Sequence, residues 1–292
     1  MNIFSGLEQV VEVKHPLAKH TWYGLGGTAD YFIKPKDTEQ LKAVVRRCNE
    51  NGIPIYVLGC GSNLLVSDSG VKGAVVKLDS EEFKKTDYGT DTLTASAGVE
   101  LGGLVLTCVR KGLSGTEALT GIPGSIGGAV KMNAGGNFGD IGTAVTSVLL
   151  MEKNGEIFEK NAPELVFDYR SSNITAKFIL QAKLKLSTAD PEQIMRTVKE
   201  VWIHKKNSQP LNTKNAGCVF KNPRGVSAGA LIDRAGLKDT KIGGAVVSSK
   251  HANFIIAEDN CKSSDVLKLI NLIKQKVKEE FDIELELEIE VW

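Results

Sequence analysis

The sequence predicts an α+β fold. Helical segments are too few for a regular doubly wound α/β sheet, and the middle of the chain is richer in glycine and strand signals than in helices. With 292 residues there is also enough chain for two or three compact units, since domains commonly run about 100–150 residues. The first helix is expected over Asp37 to Asn51. Asp37 and Gln40 form an N-terminal cap, Leu41, Val44, Val45 and Cys48 keep helical spacing, and Gly52 ends it. Strands follow at Ile53 to Leu58, Leu64 to Val66 and Gly73 to Leu78, making a β-α-β beginning. A strand at Thr92 to Ala97 and a short helix at Leu101 to Lys111 come next. Alternation marks a half-buried strand from Phe178 to Leu186, and Asp190-Pro191 opens a helix running to about Asn207. A last helix is expected from Ser264 to Phe281 with Leu267, Ile270, Ile273 and Val277 on one face. Ile283 to Val291 then alternates apolar residues with Glu, as a strand does.

Composition narrows the function classes. Apolar residues make up 42% and charged residues 24%, the values of an ordinary globular protein. Lys and Arg total 36 against 35 Asp and Glu, a net charge of +1. Such balance gives no electrostatic case for nucleic acid or an anionic membrane. No apolar run approaches the ~20 residues that span a bilayer, and charges interrupt the first twenty residues before any signal-peptide core develops. The five cysteines form no CxxC pair, so neither a zinc site nor a disulfide framework is expected, and a cytoplasmic location fits. The four histidines have no ligand spacing, and no metal is expected.

Two glycine-rich segments could carry chemistry. Gly59-Cys60-Gly61-Ser62-Asn63-Leu64 follows a strand, but it lacks a third glycine and is not followed by a helix, so the dinucleotide fingerprint fails. No GxxxxGK[ST] motif exists. What survives is a backbone nest, in which glycines turn consecutive amides toward phosphate oxygens. Gly121-Ile122-Pro123-Gly124-Ser125-Ile126-Gly127-Gly128 has the same capacity; tight turns are the plainer reading of both. Asn215 to Pro223 gathers a thiol, an ammonium and a carboxamide in Cys218, Lys221 and Asn222. A lone cysteine is usually a small buried hydrophobe. Arg170 in Tyr169-Arg170-Ser171-Ser172 is a cation between two strands. Glu284, Glu286, Glu288 and Glu290 share one strand face, read as solvated, and periodicity singles out none of them.

Taken together, His20 to Gly27 (HTWYGLGG), Leu58 to Val66, GIPGSIGGAVKMNAGG from Gly121, Tyr169-Arg170-Ser171, AGCVFKNP from Ala216, AGALIDRAG from Ala228 and Leu285-Glu286-Leu287-Glu288 resemble the UDP-N-acetylenolpyruvoylglucosamine reductase (MurB) family. The likeness runs in order along nearly the whole chain, in the shorter subtype without a long insertion. It implies a vanillyl-alcohol-oxidase-like (PCMH-type) fold: a first FAD lobe at 1–75 joined by 283–292, a second at 76–195 and an α+β substrate domain at 200–282. It also implies noncovalent FAD held by Gly59 to Leu64, Gly121 to Ser125, Gly127 and Gly128, with NADPH as cosubstrate. The implied reaction reduces UDP-N-acetylglucosamine enolpyruvate to UDP-N-acetylmuramate for peptidoglycan synthesis, in a monomeric enzyme.

By the same resemblance Arg170 and Glu288 stabilise an enolate-like intermediate and Cys218 donates the proton. Tyr169, Lys221 and Asn222 bind substrate, and Lys205 or Lys206 is a further contact. Cys218 stands where many members have serine, and Leu287 where proline is frequent. The alternatives are a flavin-dependent alcohol oxidase or dehydrogenase of the same broad fold, against which AGCVFKNP argues, and a noncatalytic flavin or nucleotide-sugar binder.

Overall fold

The computed structural model describes residues 3–292; Met1 and Asn2, which open the expected first lobe, lie outside the described residues. The chain divides into two compact units, each assembled from separated stretches. One takes the N-terminal stretch to Lys14, Asp30–Cys60 and Lys72–His204. The other takes His15–Ala29, Gly61–Val71 and Lys205–Trp292. The observed mixture of sheets and packed helices is α+β, as expected.

The first unit contains α1 (Thr38–Glu50), whose start follows the sequence logic: the Asp37 side chain accepts the Gln40 N–H at 2.8 Å. Its buried stripe is Leu41, Val44, Val45 and Cys48. A four-stranded sheet runs in the order Val11–Pro16, Thr28–Ile33, Val71–Lys77, Ile55–Leu58, and its last two strands are parallel with Ile55 opposite Ala74. A second sheet has the order Ile157–Asn161, Val145–Met151, Phe178–Lys185, Thr92–Ser96, Thr86–Tyr88, antiparallel throughout. α2 (Leu101–Arg110) and α3 (Ile126–Lys131) pack into the same core as Leu93, Val148, Phe178 and Leu184. α4 (Pro191–Ser208) adds Ile194 and Val198 to it. Two of the six residues of the short α3 are glycine, so no helical stripe marks it in the sequence.

The second unit has its own core around Tyr23, Leu65, Phe220, Ile232 and Ile270. Three short antiparallel strands, Lys241–Ile242, Ala245–Val247 and Ile255–Ala257, pack with α5 (Ala228–Arg234) and α6 (Ser263–Phe281). The buried stripe of α6 is Val266, Leu269, Ile270, Ile273 and Val277; Leu267, expected on that face, is only partly buried. Its N-terminus is capped from far away. Asp68 accepts the N–H groups of Ser263 and Ser264 at 2.8 and 3.1 Å, and the Asp68 N–H donates to the Ser263 hydroxyl at 2.7 Å.

Burial pushes the Asp68 carboxyl up, but these hydrogen bonds outweigh it and hold it below the ordinary aspartate range. A depressed pKa stabilises the fold above the unfolded value, and the contribution is lost as pH falls through the folded value. Asp68→Ala is therefore expected to cost about 1 kcal/mol at pH 7. The gap to wild type should narrow below about pH 4. Urea titrations at both pH values check it; a gap independent of pH would assign the cost to packing.

One expected element is corrected. Ile283 to Val291 is not a continuous strand: only Glu290–Val291 pairs as one, parallel to Leu64–Leu65, and Leu287 forms an isolated antiparallel bridge with Phe220. Inward burial falls at Leu285 and Ile289, four residues apart, so the even alternation in sequence does not correspond to an even ladder. Among the described residues no helix is long and apolar enough to cross a membrane. No group of three or more potential His, Cys, Asp or Glu ligands occurs among them.

Candidate active site

In the first unit the chain turns at the end of the Ile55–Leu58 strand, and Gly59 comes up against the second glycine-rich segment. A Cβ on Gly59 would sit 3.1 Å from the Ser125 Oγ. That segment is pinned from behind: Leu101 N–H donates to Gly124 O at 3.0 Å, Ile126 N–H to Val99 O at 2.9 Å and Gly127 N–H to Ala97 O at 2.9 Å. Gly59-Cys60 and Gly121 to Gly128 thus form one rigid surface, with Gly121, Ile122, Pro123 and Gly124 half-buried. Burial, reinforced by Glu100, pushes the Cys60 thiol up, so it stays neutral near pH 7.

Gly61 to Leu64 belong to the second unit. Gly61 has φ +65°, and a Cβ there would fall 1.9 Å from His20 O, an overlap no side chain survives. Trp22 N–H donates to Gly61 O at 2.9 Å, which locks this loop to the HTWYGLGG motif. Asn63 then reaches the C-terminal segment twice: its Nδ2 donates to Glu288 O at 3.0 Å, and its own carbonyl accepts the Glu290 N–H at 2.9 Å. Glu288 N–H donates to Val219 O at 2.8 Å and Lys221 N–H to Glu286 O at 2.9 Å, so the strand-like stretches 219–221 and 286–288 lie antiparallel. Cys218, half-buried, directly precedes this pair.

The four glutamates are no longer equivalent. Glu284 and Glu286 are open to solvent, with side chains 83% and 77% exposed, and Glu290 is exposed too, whereas Glu288 is half-buried and fixed through both its N–H and its carbonyl. Lys221 Nζ lies 3.5 Å from the Glu286 carboxylate, and Asn222 Oδ1 accepts the Ala228 N–H at 3.0 Å. Of the two lysines that sequence left open, Lys205 is buried in the last turn of α4 and Lys206 is exposed.

Arg170 belongs to the first unit. It occupies the second position of a two-residue hairpin turn between Phe167–Asp168 and Ser171–Ser172. Its φ of +54° is unusual for a long side chain. The guanidinium lies 5.5 Å from the ring centroid of Tyr169, which is 47% exposed.

Two asparagines were missed in the sequence. Asn253 is buried and holds Phe220 from both sides, donating to Phe220 O at 2.7 Å and accepting the Phe220 N–H at 2.9 Å. Asn133 is buried and bridges Asp168 of the Arg170 hairpin to Gly142. The only sequence signal for either was a carboxamide in an otherwise apolar or glycine-rich stretch.

In the first unit, Gly121 to Gly128 presents the Ser125 hydroxyl and those backbone amides that are not already bonded within the fold; in the second, Gly61 to Leu64 presents backbone amides with the Ser62 hydroxyl, and neither segment contains a carboxylate. Amides and hydroxyls without a carboxylate, as each segment offers on its own, are donor chemistry that fits a pyrophosphate such as that of FAD.

The comparisons agree with this chemistry. Residues 29–161 match the family model described as an FAD binding domain, and residues 209–292 match the C-terminal domain of UDP-N-acetylenolpyruvoylglucosamine reductase. A relative of that name from Lachnoclostridium phytofermentans is 40% identical over 284 residues, covering 96% of this chain and 92% of the relative. Another from Carboxydothermus hydrogenoformans is 41% identical over 278 residues, covering 94% and 92%. The crystal structure of the reductase from Thermus caldophilus superimposes with a TM-score of 0.82 at 39% identity, covering 97% of this chain and 98% of that one. Wild-type Phl p 4.0202, a glucose dehydrogenase, aligns with a TM-score of 0.52 at 15% identity over 65% of this chain and 45% of its own, a likeness of fold alone. The near-complete coverage at about 40% identity places this chain in the UDP-N-acetylenolpyruvoylglucosamine reductase family.

Proposed function

We propose that this chain is an FAD-dependent enzyme that uses NADPH to reduce UDP-N-acetylglucosamine enolpyruvate to UDP-N-acetylmuramate, a step of peptidoglycan precursor synthesis. The observation that carries the reading is two glycine-rich segments, neither with a carboxylate of its own, in the same chain as an AGCVFKNP segment held antiparallel to Glu288. When bound, the flavin supplies the hydride chemistry, accepting a hydride from NADPH and passing one to the β-carbon of the enolpyruvyl double bond.

The chain's own residues do the rest. Arg170 and Glu288 stabilise the enolate-like charge that builds on the substrate carboxylate as the β-carbon takes up hydride; for Glu288 this requires its carboxyl to be protonated or to act through a donor. Cys218 gives its proton to the α-carbon, which completes the addition of two electrons and two hydrogens across the double bond. Tyr169, Lys221 and Asn222 hold the substrate. Lys205 is favoured over Lys206 as a further contact, because a buried ammonium is fixed in place while an exposed one is not.

The lobes follow the same proposal: residues 1–75 with 283–292 and residues 76–195 embrace the flavin, and residues 200–282 receive the substrate. The pairing of Glu290–Val291 with Leu64–Leu65 supports the return of the C-terminal segment to the first lobe. The enzyme is read as a cytoplasmic monomer.

Anaerobic addition of limiting NADPH is expected to bleach the bound flavin, and enolpyruvyl-UDP-N-acetylglucosamine to restore its colour with UDP-N-acetylmuramate formed. Bleaching that this substrate cannot reverse overturns the assignment in favour of another acceptor.

A further inference from the structure

Among the described residues, Phe167–Asp168 and Ser171–Ser172 pair with each other as a two-stranded sheet and with no other strand, so no larger sheet backs the Arg170 turn. Its position is set by side-chain bonds to the segment that follows α3. The Asn133 Nδ2 donates to Asp168 O at 3.0 Å, and its Oδ1 accepts the Gly142 N–H at 2.9 Å. Asn133 is 5% exposed, and its φ of +45° is a conformation that asparagine tolerates better than most residues. Close by, the Ser172 hydroxyl donates to Lys131 O at 2.8 Å, and the Lys131 ammonium donates to Ile174 O. Phe167 closes the gap: a Cβ on Gly142 would lie 2.5 Å from its ring. One carboxamide thus touches the two sides of a joint, and both groups it satisfies are backbone.

We infer that Asn133 is a positioning residue for Arg170, coupling the guanidinium's location to the glycine-rich segment that runs from Gly121 through α3. Asn133 does no chemistry itself. It fixes the Asp168 carbonyl, two residues before Arg170, so that the strained turn projects the guanidinium from one place. Displacing a charged group by about 1 Å from its productive position can cost roughly 10²-fold in rate. The inference rests on the proposed reduction of the enolpyruvyl substrate, in which Arg170 acts only in the second half-reaction.

The test uses Asn133→Gly, which accepts the positive φ but lacks both bonds, and Asn133→Asp, which keeps the acceptor for Gly142 and replaces the donor to Asp168. Flavin content and thermal unfolding establish that each is folded. The rate at which NADPH reduces the flavin is expected to stay within about threefold of wild type. Reoxidation by saturating enolpyruvyl substrate is expected to fall roughly 10²-fold in Asn133→Gly and less in Asn133→Asp. In an Arg170→Ala background, Asn133→Gly should change reoxidation by no more than about two- to threefold, because residues acting through one another are not additive. Equal loss in both half-reactions, or full multiplication with Arg170→Ala, overturns the positioning role and leaves Asn133 as a fold determinant. Failure of wild-type reduced enzyme to be reoxidised by the substrate is a different result, and it removes the proposed function together with this inference.

Discussion

Cys218→Ala is expected to slow reoxidation of the reduced flavin by enolpyruvyl-UDP-N-acetylglucosamine by about 10²–10⁴-fold, the usual share of a positioned general acid. Flavin reduction by NADPH should be unchanged, because no proton from Cys218 enters that step. Cys218→Ser should retain substantial turnover. A free thiol, with an ordinary pKa of about 8.5, is a far stronger acid than a hydroxyl and donates at least as readily while it stays protonated. The cation nearest in sequence, Lys221, lies 3.5 Å from the Glu286 carboxylate. Stopped-flow flavin absorbance separates the two half-reactions. Wild-type reoxidation in the alanine variant would dismiss Cys218 as the donor.

The second large effect separates activity from stability at one position. Arg170→Gly should lower the same reoxidation step by about 10²–10³-fold, through loss of charge stabilisation. Its thermal stability should nevertheless stay close to wild type. Holding a side chain at φ +54° costs on the order of 1–2 kcal/mol, which glycine relieves. Against this stand about 0.5–1 kcal/mol of glycine's extra unfolded-state entropy and about 0.5–1 kcal/mol from the Tyr169 ring contact. The terms offset to within about 1 kcal/mol. Calorimetry beside stopped-flow kinetics checks both halves; an active glycine variant would show that the arginine is not needed, and the strained turn would then have no functional reason.

Elements governed by local physics were legible in the sequence. The Asp37–Gln40 cap and the four-residue stripe of α1 depend on neighbours within three or four positions, and both occur as read. What was not legible depends on distant partners. The N-terminus of α6 has a local bond, Lys262 N–H to Asp265, but it also takes a cap from Asp68, 195 positions away, and no local pattern announces that partner. The alternating C-terminal segment reads as a strand because period two is all a single sequence offers; the pairing exists only at Leu287 and at Glu290–Val291. The same holds for the candidate site. Family resemblance singled out Glu288, whereas in the fold it is set apart by backbone bonds to Asn63 and Val219. Asn133 and Asn253 matter through carboxamides that satisfy backbone groups brought near by the fold, and neither stands in a repeating pattern.

The way the second unit is pieced together sets an order of events on the ribosome. All the stretches of the first unit have been translated once His204 is made, but His15–Ala29 and Gly61–Val71 belong with Lys205–Trp292. At about 5–20 residues per second, those two early stretches wait on the order of ten seconds for their partners. Tyr23, Leu64 and Leu65, all buried in the finished protein, lack their partners from Lys205–Trp292 during that interval. The nascent chain is therefore expected to expose apolar side chains that later-made residues cover. The bonds of Asn63 to Glu288 and Glu290 can form only after those residues have been made.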